Sequence, residues 1–388
     1  MNAATLVTIL VLTLAGLAQE SRAAAPIDDR ANDAPTVPTI PVKFTSELKI
    51  PSLMGVMGIE QPVRCGTDGR VFLRTASSIG MNNDVVMIMP SGSTTNFRTM
   101  SIMDVPNAYI SRYFPTDNDL YALVRGFSYG TKTVRTKGQM PDGRTVETSG
   151  QAVSLQNYIV RFGLDGSYRG AVRLEIPFQP SQFGVFTSGD FIVSGRDNDS
   201  GEPKTALVRA SGQFDRYIEL RGDITGKSES VREQARSDNK GFVRGALQWM
   251  VDTTELIPDG DKLLLVRKLN QVTVFEIIPS GTVRRVLVKA GPADATLQSL
   301  KPAAGRWLVQ FTKSSRDGLG VTVLSYYVDP ETGRFLEKLV YSTPVGLGVA
   351  CFHDGEFLAV RQNEEGEMIL LKGTPDTRGS GTDQPEAE

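Results

Sequence analysis

The sequence predicts an all-β fold in which a four-stranded antiparallel unit is repeated and the series closes into a ring. Three observations predict it. A tight turn followed by an apolar strand recurs six times, a strand–turn–strand segment recurs five times, and no long segment shows sustained helical periodicity. The runs that flank the turns are rich in Val, Ile, Leu, Phe and Tyr, which is typical of strands.

The first half of each unit is the tight turn and the strand after it. Asp-Gly and Ser-Gly pairs supply the positive backbone φ that short hairpins need. The six copies are TDGRVFLR (67–74), TDNDLYALVR (116–125), TSGDFIVSGR (187–196), PDGDKLLLVR (258–267), AAGRWLVQFT (303–312) and HDGEFLAVR (353–361).

The second half of each unit is a strand, a turn and another strand. The five copies are VVMIMPSGSTTNF (85–97), YIVRFGLDGSYRGAVRL (158–174), ALVRASGQFDRYIEL (206–220), VTVFEIIPSGTVRRVLV (272–288) and VTVLSYYVDPETGRFLEKLVY (321–341). The sixth unit ends after GEMILLKG (366–373), one strand short. The segment KFTSELKI (43–50) is expected to supply the missing strand.

A repeated spacing of apolar residues supports this assignment. Phe44 is followed by Leu48 and Ile50, and the spacing recurs at Tyr168, Val172 and Leu174, at Phe214, Ile218 and Leu220, and at Phe335, Leu339 and Tyr341. Because strand side chains alternate with period two, we expect each set to lie on one strand face. The N-terminal strand is therefore predicted to be the outermost strand of the last sheet, closing a ring with few exposed edges.

This repeat architecture resembles the six-bladed β-propeller superfamily, in general arrangement the NHL-type, YncE-like and sugar-lactonase-like propellers. The resemblance covers residues 42–373 and rests on the repeated unit rather than on a signature motif. It implies six four-stranded blades. A pair of β-sandwiches is the alternative fold, but it would not explain the recurring unit or the shared strand.

Both ends of the chain differ from the repeats. Residues 1–23 are interpreted as a signal peptide, because the apolar run LVTILVLTLAGLA (6–18) is too short for a membrane span and small residues follow it. Residues 24–41 are predicted to be a disordered linker and residues 374–388 a disordered tail. We therefore expect an exported protein, periplasmic or extracellular, without a membrane span.

The charge balance bears on the class of partner. Charged residues make up 22% of the chain and nearly cancel, which leaves a formal net charge of −2. Binding to nucleic acid or to an anionic membrane would favour a basic excess, so neither partner is predicted.

The long insertions fall on one face of the predicted ring. They connect the second and third strands of a unit or one unit with the next, and they are 126–156, 195–204, 221–248 and 313–320. The first predicts a projecting hairpin, and the third contains SESVREQARS (228–237), which predicts a short helix with a Ser cap. Because loops on a rigid scaffold commonly carry binding sites, we expect this face to bind a protein or a glycan without catalysis. The alternative is that long surface loops are merely tolerated.

Arginines recur where strands reach this face. They are Arg74, Arg125, Arg267 and Arg361, with Arg196 at a similar place in a fifth unit. A partial ring of guanidinium groups could bind carboxylate or phosphate groups in bidentate fashion. Alternatively, each arginine pairs with a carboxylate of the adjacent unit or lies in solvent.

The rival hypothesis is a metal-dependent lactonase-like or lyase-like enzyme with a site in the central channel. The resemblance to sugar-lactonase-like propellers implies that Glu60 occupies the place of a metal-binding Glu, but their Asn and Asp ligands have no match here. No cofactor is predicted for the binding protein, whereas the enzyme would need Ca²⁺ or another divalent cation.

Other residues with chemical potential favour ordinary structural roles. Asp252 and Glu255 have a spacing that puts them on opposite strand faces, which argues against a cooperating acid–base pair. The single histidine, His353, falls in a turn away from the insertions and is interpreted as an exposed turn residue. No motif for a nucleophilic serine, a His-based zinc site, a Walker A loop or a dinucleotide is present.

The two cysteines occupy equivalent places in the repeats. Cys65 and Cys351 each lie three residues before the Asp of their turn, in the first and last units, which become neighbours once the ring closes. They are candidates for a disulfide in an oxidising compartment. Two buried free thiols are the alternative, because a disulfide requires the Cα atoms to come within about 7 Å.

Overall fold

The computed structural model describes most of the chain between residues 36 and 376. The described ranges are 36–50, 58–66, 68–76, 84–98, 108–139, 145–225, 227–228, 231, 247–248, 251, 253–268, 272–288, 291–292, 295–314, 321–345, 348–363 and 365–376. Within them the chain is almost entirely strands and turns, arranged as five sheets. The predicted signal peptide lies outside the described residues.

The N-terminal strand β1 (Thr39–Lys49) is followed by four sheets of four consecutive antiparallel strands. The first contains β2 (Gly58–Cys65), β3 (Val71–Ala76), β4 (Val85–Ile88) and β5 (Thr94–Phe97), and the second β6 (Tyr109–Pro115), β7 (Asp119–Gln139), β8 (Thr145–Gly163) and β9 (Tyr168–Arg173). The third contains β10 (Gln179–Val185), β11 (Phe191–Arg196), β12 (Pro203–Val208) and β13 (Phe214–Tyr217), and the fourth β14 (Glu255–Asp259), β15 (Lys262–Arg267), β16 (Thr273–Ile277) and β17 (Val283–Leu287).

The fifth sheet joins both ends of the described chain. It contains β18 (Ala295–Ala303), β19 (Arg306–Ser314), β20 (Val321–Val328), β21 (Phe335–Tyr341), β22 (Val349–His353), β23 (Glu356–Gln362) and β24 (Met368–Pro375). With β1 included, the strand order is β18-β19-β20-β21-β1-β24-β23-β22. The chain termini of the folded region therefore meet in one sheet.

Strand β1 pairs with β24 in antiparallel register, from Val42 opposite Pro375 to Lys49 opposite Ile369. This matches the predicted pairing of the N-terminal segment with the last repeat. The strand is not outermost, however, because its first four residues also pair in parallel with β21. The predicted position as the outermost strand of its sheet therefore changes, since β1 lies between β24 and β21 in one eight-stranded sheet.

Six strands, each at one edge of a sheet, contact one another in a closed series. Strand β2 contacts β6, β6 contacts β10, β10 contacts β14, β14 contacts β18, β18 contacts β22, and β22 contacts β2 again. The sheets therefore have a propeller-like arrangement, with these inner strands around a common centre.

The hydrophobic core lies between successive sheets rather than inside a single closed barrel. One cluster packs Val71, Leu73 and Val86 of the first sheet against Leu358 and Leu370 of the last. The middle strands are buried on both faces: every residue of β4 and of β16 is buried. Each fully buried large apolar side chain contributes about 1.5–3 kcal/mol relative to exposure, so the sheet-to-sheet contacts dominate the stability of the fold.

The repeated aromatic spacing has a different cause from the one expected. The register shifts at the aromatic residue in β9, β13, β21 and β1, with Tyr168, Phe214, Phe335 and Phe44 as the residues before the extra position. A β-bulge of this kind reverses the alternation of side chains. Phe335 accordingly packs in the cluster of Trp307, whereas Leu339 packs with Val42 in another cluster. The expectation that each set shares one face is therefore wrong for this strand.

The predicted boundaries of the folded region move outward slightly. Strand β1 begins at Thr39, inside the segment 24–41 assigned to the linker, and β24 ends at Pro375, inside the segment 374–388 assigned to the tail. Pro41 has no backbone N–H to donate, but its carbonyl accepts a hydrogen bond from Asp376 N at 2.8 Å. The rest of the linker up to residue 35 and of the tail from residue 377 lies outside the described residues.

The described part of the chain was also searched for membrane spans. None of its helical segments combines the length and the apolar composition that crossing a membrane requires.

Candidate functional site

The most prominent projection from the sheets is a two-stranded ribbon. It is formed by the distal halves of β7 and β8, which extend beyond the other strands of the second sheet. Pairing continues from Gly126 opposite Gln156 to Gln139 opposite Thr145. The neighbouring strands end earlier, because β6 pairs with β7 only as far as Arg125 and β9 with β8 only as far as Tyr158. At about 3.3 Å per residue, the ribbon extends about 40 Å beyond its sheet. The predicted projecting hairpin is confirmed.

Both long edges of the ribbon lack a third strand within the described residues. A strand without a neighbour presents backbone N–H and C=O groups that can pair with another chain. The ribbon projects from the end of β7 that is opposite the turn joining β6 to β7. It therefore belongs to the face that carries the long connections.

Two further insertions on this face have local structure. Asp197 Oδ1 accepts hydrogen bonds from Asp199 N at 3.1 Å and Ser200 N at 2.9 Å, which lowers the pKa of Asp197 and holds the turn between β11 and β12. In the third insertion, Val231 N donates to Ser228 Oγ at 3.4 Å, as a Ser cap would require. The remainder of the predicted helix 228–237 lies outside the described residues.

Two of the five candidate arginines bind the backbone of the next sheet. Arg74 Nη1 donates to the carbonyl oxygens of Ile110 and Ser111, both at 3.0 Å. Arg125 Nη2 donates to the carbonyl oxygen of Pro180. These acceptors lie where β6 and β10 change register, so the guanidinium groups bind carbonyls that a bulge turns away from the strand ladder.

Arg267 forms a buried ion pair. Its side chain is 1% exposed, and its Nε and Nη2 donate to the two carboxylate oxygens of Asp223 at 3.0 and 2.9 Å. Its Nη1 donates to Thr254 Oγ1 at 2.7 Å. The guanidinium thus joins the long connection before β14 to the end of β15, in the bidentate geometry that favours arginine over lysine.

The other two candidate arginines bind within their own sheets. Arg196 Nη2 donates to Gln179 Oε1 at 3.3 Å, and Arg361 Nη2 donates to Glu47 Oε1 at 2.8 Å. All five arginines therefore have partners in the chain itself. A ligand-binding ring of Arg74, Arg125, Arg196, Arg267 and Arg361 stays a prediction.

The sequence reasoning missed a group of charged residues at the centre of the ring. Arg64 of β2 is 7% exposed, and its Nη1 donates to the carbonyl oxygen of Leu256 in β14 at 2.6 Å. Its guanidinium carbon also lies 5.9 and 5.8 Å from the ring centroids of Tyr113 and Phe114 in β6. Burial lowers the pKa of Arg64, while Glu255 opposes the shift.

Two lysines complete this group. Lys268 Nζ pairs with Glu255 and donates to the carbonyl oxygen of Gln298 at 2.6 Å. Lys301 Nζ donates to the carbonyl oxygens of Val349, at 2.7 Å, and Ala350. Burial lowers the pKa of Lys301 to about 7; Glu255 raises it, and Arg64 and Lys268 lower it further. A search for charged residues on the first strand of each repeat would have found Arg64 and Lys301.

The remaining sequence candidates are not brought into one site. Glu60 lies on β2 opposite Arg74 in the backbone register. The side chain of Glu60 and the whole of Asp252 lie outside the part of the chain that the structure describes. His353 Nε2 lies 3.2 Å from Asp354 Oδ2 in the turn between β22 and β23. Among the described side chains, no group of three or more His, Cys, Asp or Glu could hold a metal ion.

The two cysteines meet at the seam between the first and last repeats. A disulfide joins Cys65 of β2 to Cys351 of β22, with the Cα atoms 5.5 Å apart and 286 positions of sequence between the residues. The adjacent turns also meet: Gly69 has a φ of +76°, and a Cβ there would lie 2.9 Å from His353 Cδ2. A side chain at residue 69 would therefore strain the turn and displace His353.

No family model matches the chain, and no curated protein matches it. Similar solved structures include Porphyromonas gingivalis dipeptidyl peptidase 4, with 9% identity over 78% of this chain and 42% of that one and a TM-score of 0.37. Pyrococcus horikoshii acylaminoacyl peptidase has 11% identity over 81% of this chain and 51% of that one, with a TM-score of 0.41.

A third similar structure is YCF48 bound to a D1 peptide, with 9% identity over 91% of this chain and all of that one and a TM-score of 0.35. The chain spans less than half the length of the P. gingivalis enzyme and about half that of the P. horikoshii enzyme.

Proposed function

We propose that the chain is an exported, non-enzymatic, six-bladed β-propeller that binds a protein through the face carrying the ribbon. The ribbon, Gly126–Gln139 paired with Thr145–Gln156, is the observation that carries the proposal.

The count of six blades is supported by the inner strands. Six of them, β2, β6, β10, β14, β18 and β22, contact one another in a closed series. The eight-stranded sheet contains two of these inner strands, one at each edge. It is read as two four-stranded blades whose outer strands, β21 and β1, pair through four residues of each.

A protein partner fits the ribbon better than a glycan does. The exposed edges of β7 and β8 offer a row of backbone donors and acceptors, and an extended polypeptide strand complements such a row by adding to the edge. An isolated two-stranded ribbon is also marginally stable in water. A partner strand would stabilise it by supplying the third strand of a small sheet.

Export is supported by the covalent link between the first and last blades. Disulfides persist in oxidising compartments and are rare in the cytosol. A bond that closes the ring between Cys65 and Cys351 suits a periplasmic or extracellular location.

The proposal is tested by shortening the ribbon. Residues 127–155 are replaced by Asn-Gly, which joins Gly126 to Gln156 through a two-residue hairpin turn. Partners of the parent protein are captured by cross-linking in its native compartment, and their affinity is measured for both proteins. We expect unchanged thermal unfolding and at least a tenfold weaker affinity, about 1.4 kcal/mol.

A matched control alters the opposite face. Glu331 and Thr332 lie in the turn between β20 and β21, and their replacement by alanine should leave partner affinity unchanged. Equal affinity of the ribbon-shortened protein and the parent would contradict the proposal. Binding on a glycan array that survives ribbon removal, with no protein captured, would overturn the choice of a protein partner.

A further inference from the structure

The charged group at the centre of the ring has an excess of positive charge. It consists of Arg64, Lys268, Lys301 and Glu255, which interact with one another electrostatically. When all four are ionised, three positive charges face one carboxylate within the described residues. Glu255 pairs directly with Lys268, so the charges of Arg64 and Lys301 have carbonyl partners but no contact with a carboxylate among the side chains that the structure describes.

Buried charge without a counter-ion is unfavourable, because carbonyl dipoles replace only part of the lost hydration. Arg64 is 7% exposed, and its Nε has no hydrogen-bond partner among the described residues. Lys301 Nζ has three N–H donors, and two of them donate to the carbonyl oxygens of Val349 and Ala350. Both cations therefore retain a donor and a charge that an anion could use.

The three cations come from different sheets. Arg64 lies on β2, Lys268 follows β15, and Lys301 lies on β18. Arg64 also reaches a carbonyl of β14, three sheets away in the series of inner strands. This convergence at the common centre means that one small ligand could contact several blades.

We propose that the centre of the ring binds one small oxyanion, of the sulfate, phosphate or carboxylate class, between Arg64 and Lys301. A divalent oxyanion would balance the two excess charges. The guanidinium group of Arg64 supplies its Nε donor and its charge, and the ammonium group of Lys301 supplies a third N–H and a point charge. This site is independent of the ribbon and of the partner that the ribbon binds.

Binding at this site is coupled to a proton. In the ligand-free protein, the low pKa of Lys301, about 7, leaves part of the population neutral near pH 7.5. An adjacent anion favours the charged form, as Glu255 already does, against the opposing effects of Arg64 and Lys268. Oxyanion binding therefore takes up a proton, and the affinity falls as the pH rises above the pKa of Lys301, from about 7 to about 9.

The test is calorimetric titration of the full chain with sulfate, which does not titrate near neutral pH. Chloride holds the ionic strength constant, and two buffers of different ionisation enthalpy report proton uptake. We expect one sulfate per chain with net proton uptake at pH 7.5. Lys301→Met should weaken binding at least tenfold, about 1.4 kcal/mol, and abolish the uptake.

Two further variants separate the site from general effects. Lys301→Arg keeps the charge but does not titrate near neutral pH, so it should retain sulfate binding without proton uptake. Arg209→Met removes an exposed arginine that pairs with Asp215 away from the centre, and it should bind sulfate as the parent does. The ribbon-shortened protein should also bind sulfate normally, whatever its affinity for a protein partner.

Absence of saturable sulfate binding by the parent would overturn the proposal, as would equal affinity of the parent and Lys301→Met. Titrations with inorganic phosphate and with malonate then identify the preferred class. Tighter binding of phosphate would assign a tetrahedral oxyanion, and tighter binding of malonate would assign a carboxylate.

Discussion

At the scale of single residues, basic side chains bind backbone carbonyls of four of the inner strands. Arg74 and Arg125 bind carbonyls of β6 and β10, and Lys268 and Lys301 bind carbonyls of β18 and β22. Each of these four inner strands has a register shift near the acceptor. A bulge exposes carbonyl groups that the ladder leaves unpaired, and a long cationic side chain satisfies them.

The buried pair of Arg267 and Asp223 provides the first test at this scale. Arg267→Met leaves the carboxylate of Asp223 without its bidentate partner, and we expect a loss of about 3–5 kcal/mol in the free energy of unfolding. Urea unfolding measures the loss. The double variant Arg267→Met/Asp223→Leu should recover much of it, because no unpaired charge is then buried. A loss below about 1 kcal/mol in the single variant would contradict the structural role.

Lys301 gives a second, pH-dependent test. Burial lowers its pKa to about 7 in the folded state, from the ordinary lysine value of 10.5. Between these values the unfolded chain binds the additional proton, so raising the pH disfavours unfolding. In buffer without oxyanions, the free energy of unfolding of the parent should rise relative to that of Lys301→Met between pH 7 and 9, by up to about 1.4 kcal/mol per pH unit. Parallel pH profiles of the two proteins would contradict the low pKa.

At the scale of elements, the sequence predicted the strands well but not their distortions. The turn residues and apolar runs identified the strands, and the insertion 126–156 predicted the projecting hairpin. The aromatic spacing was detected, yet its interpretation failed at Phe335, because a bulge in β21 separates Phe335 from Leu339 on opposite faces. A bulge adds one residue without a fixed sequence signal, so a period-two count across it gives the wrong face.

The disulfide gives a prediction for the seam between β2 and β22. Replacing Cys65 and Cys351 by serine removes a link across 286 positions of sequence. We expect the unfolding free energy to fall by about 2–5 kcal/mol, since the cross-link restricts the unfolded chain. Urea unfolding of the double variant, compared with the parent in oxidised and in reduced form, measures the effect. A double variant that resembles the oxidised parent would contradict a stabilising bond.

The N-terminal strand gives the other prediction for this seam. A chain that starts at residue 51 lacks β1 and loses the buried side chains of Val42 and Ile50, both 1% exposed. It also exposes the edges of β21 and β24, which favours aggregation. We expect a lower unfolding temperature and edge-to-edge association in light scattering. The control is a chain that starts at residue 36, which should behave as the parent does.

At the scale of the whole molecule, parts that are distant in sequence close the ring of inner strands and meet in one sheet. The repeat count of six first halves and five second halves predicted that the chain ends would share a sheet, and β1 does pair with β24. The parallel pairing of β1 with β21 was not predicted, because no local pattern encodes contact between two outer strands. The central cations were missed for the same reason: Arg64 and Leu256 are 192 positions apart.

Cross-linking of β1 to β24 tests ring closure most directly. Lys43 and Thr374 are directly opposite and both exposed, and opposite residues of an antiparallel pair have Cα atoms about 4.5–5.5 Å apart, within disulfide range. If β1 pairs with β24, the variant Lys43→Cys/Thr374→Cys forms an intramolecular disulfide, which peptide mapping detects. Lys43→Cys/Ser188→Cys, with Ser188 in the turn of a distant sheet, should form none. A native, monomeric Lys43→Cys/Thr374→Cys protein in which the two thiols stay unlinked under oxidising conditions would contradict closure by β1.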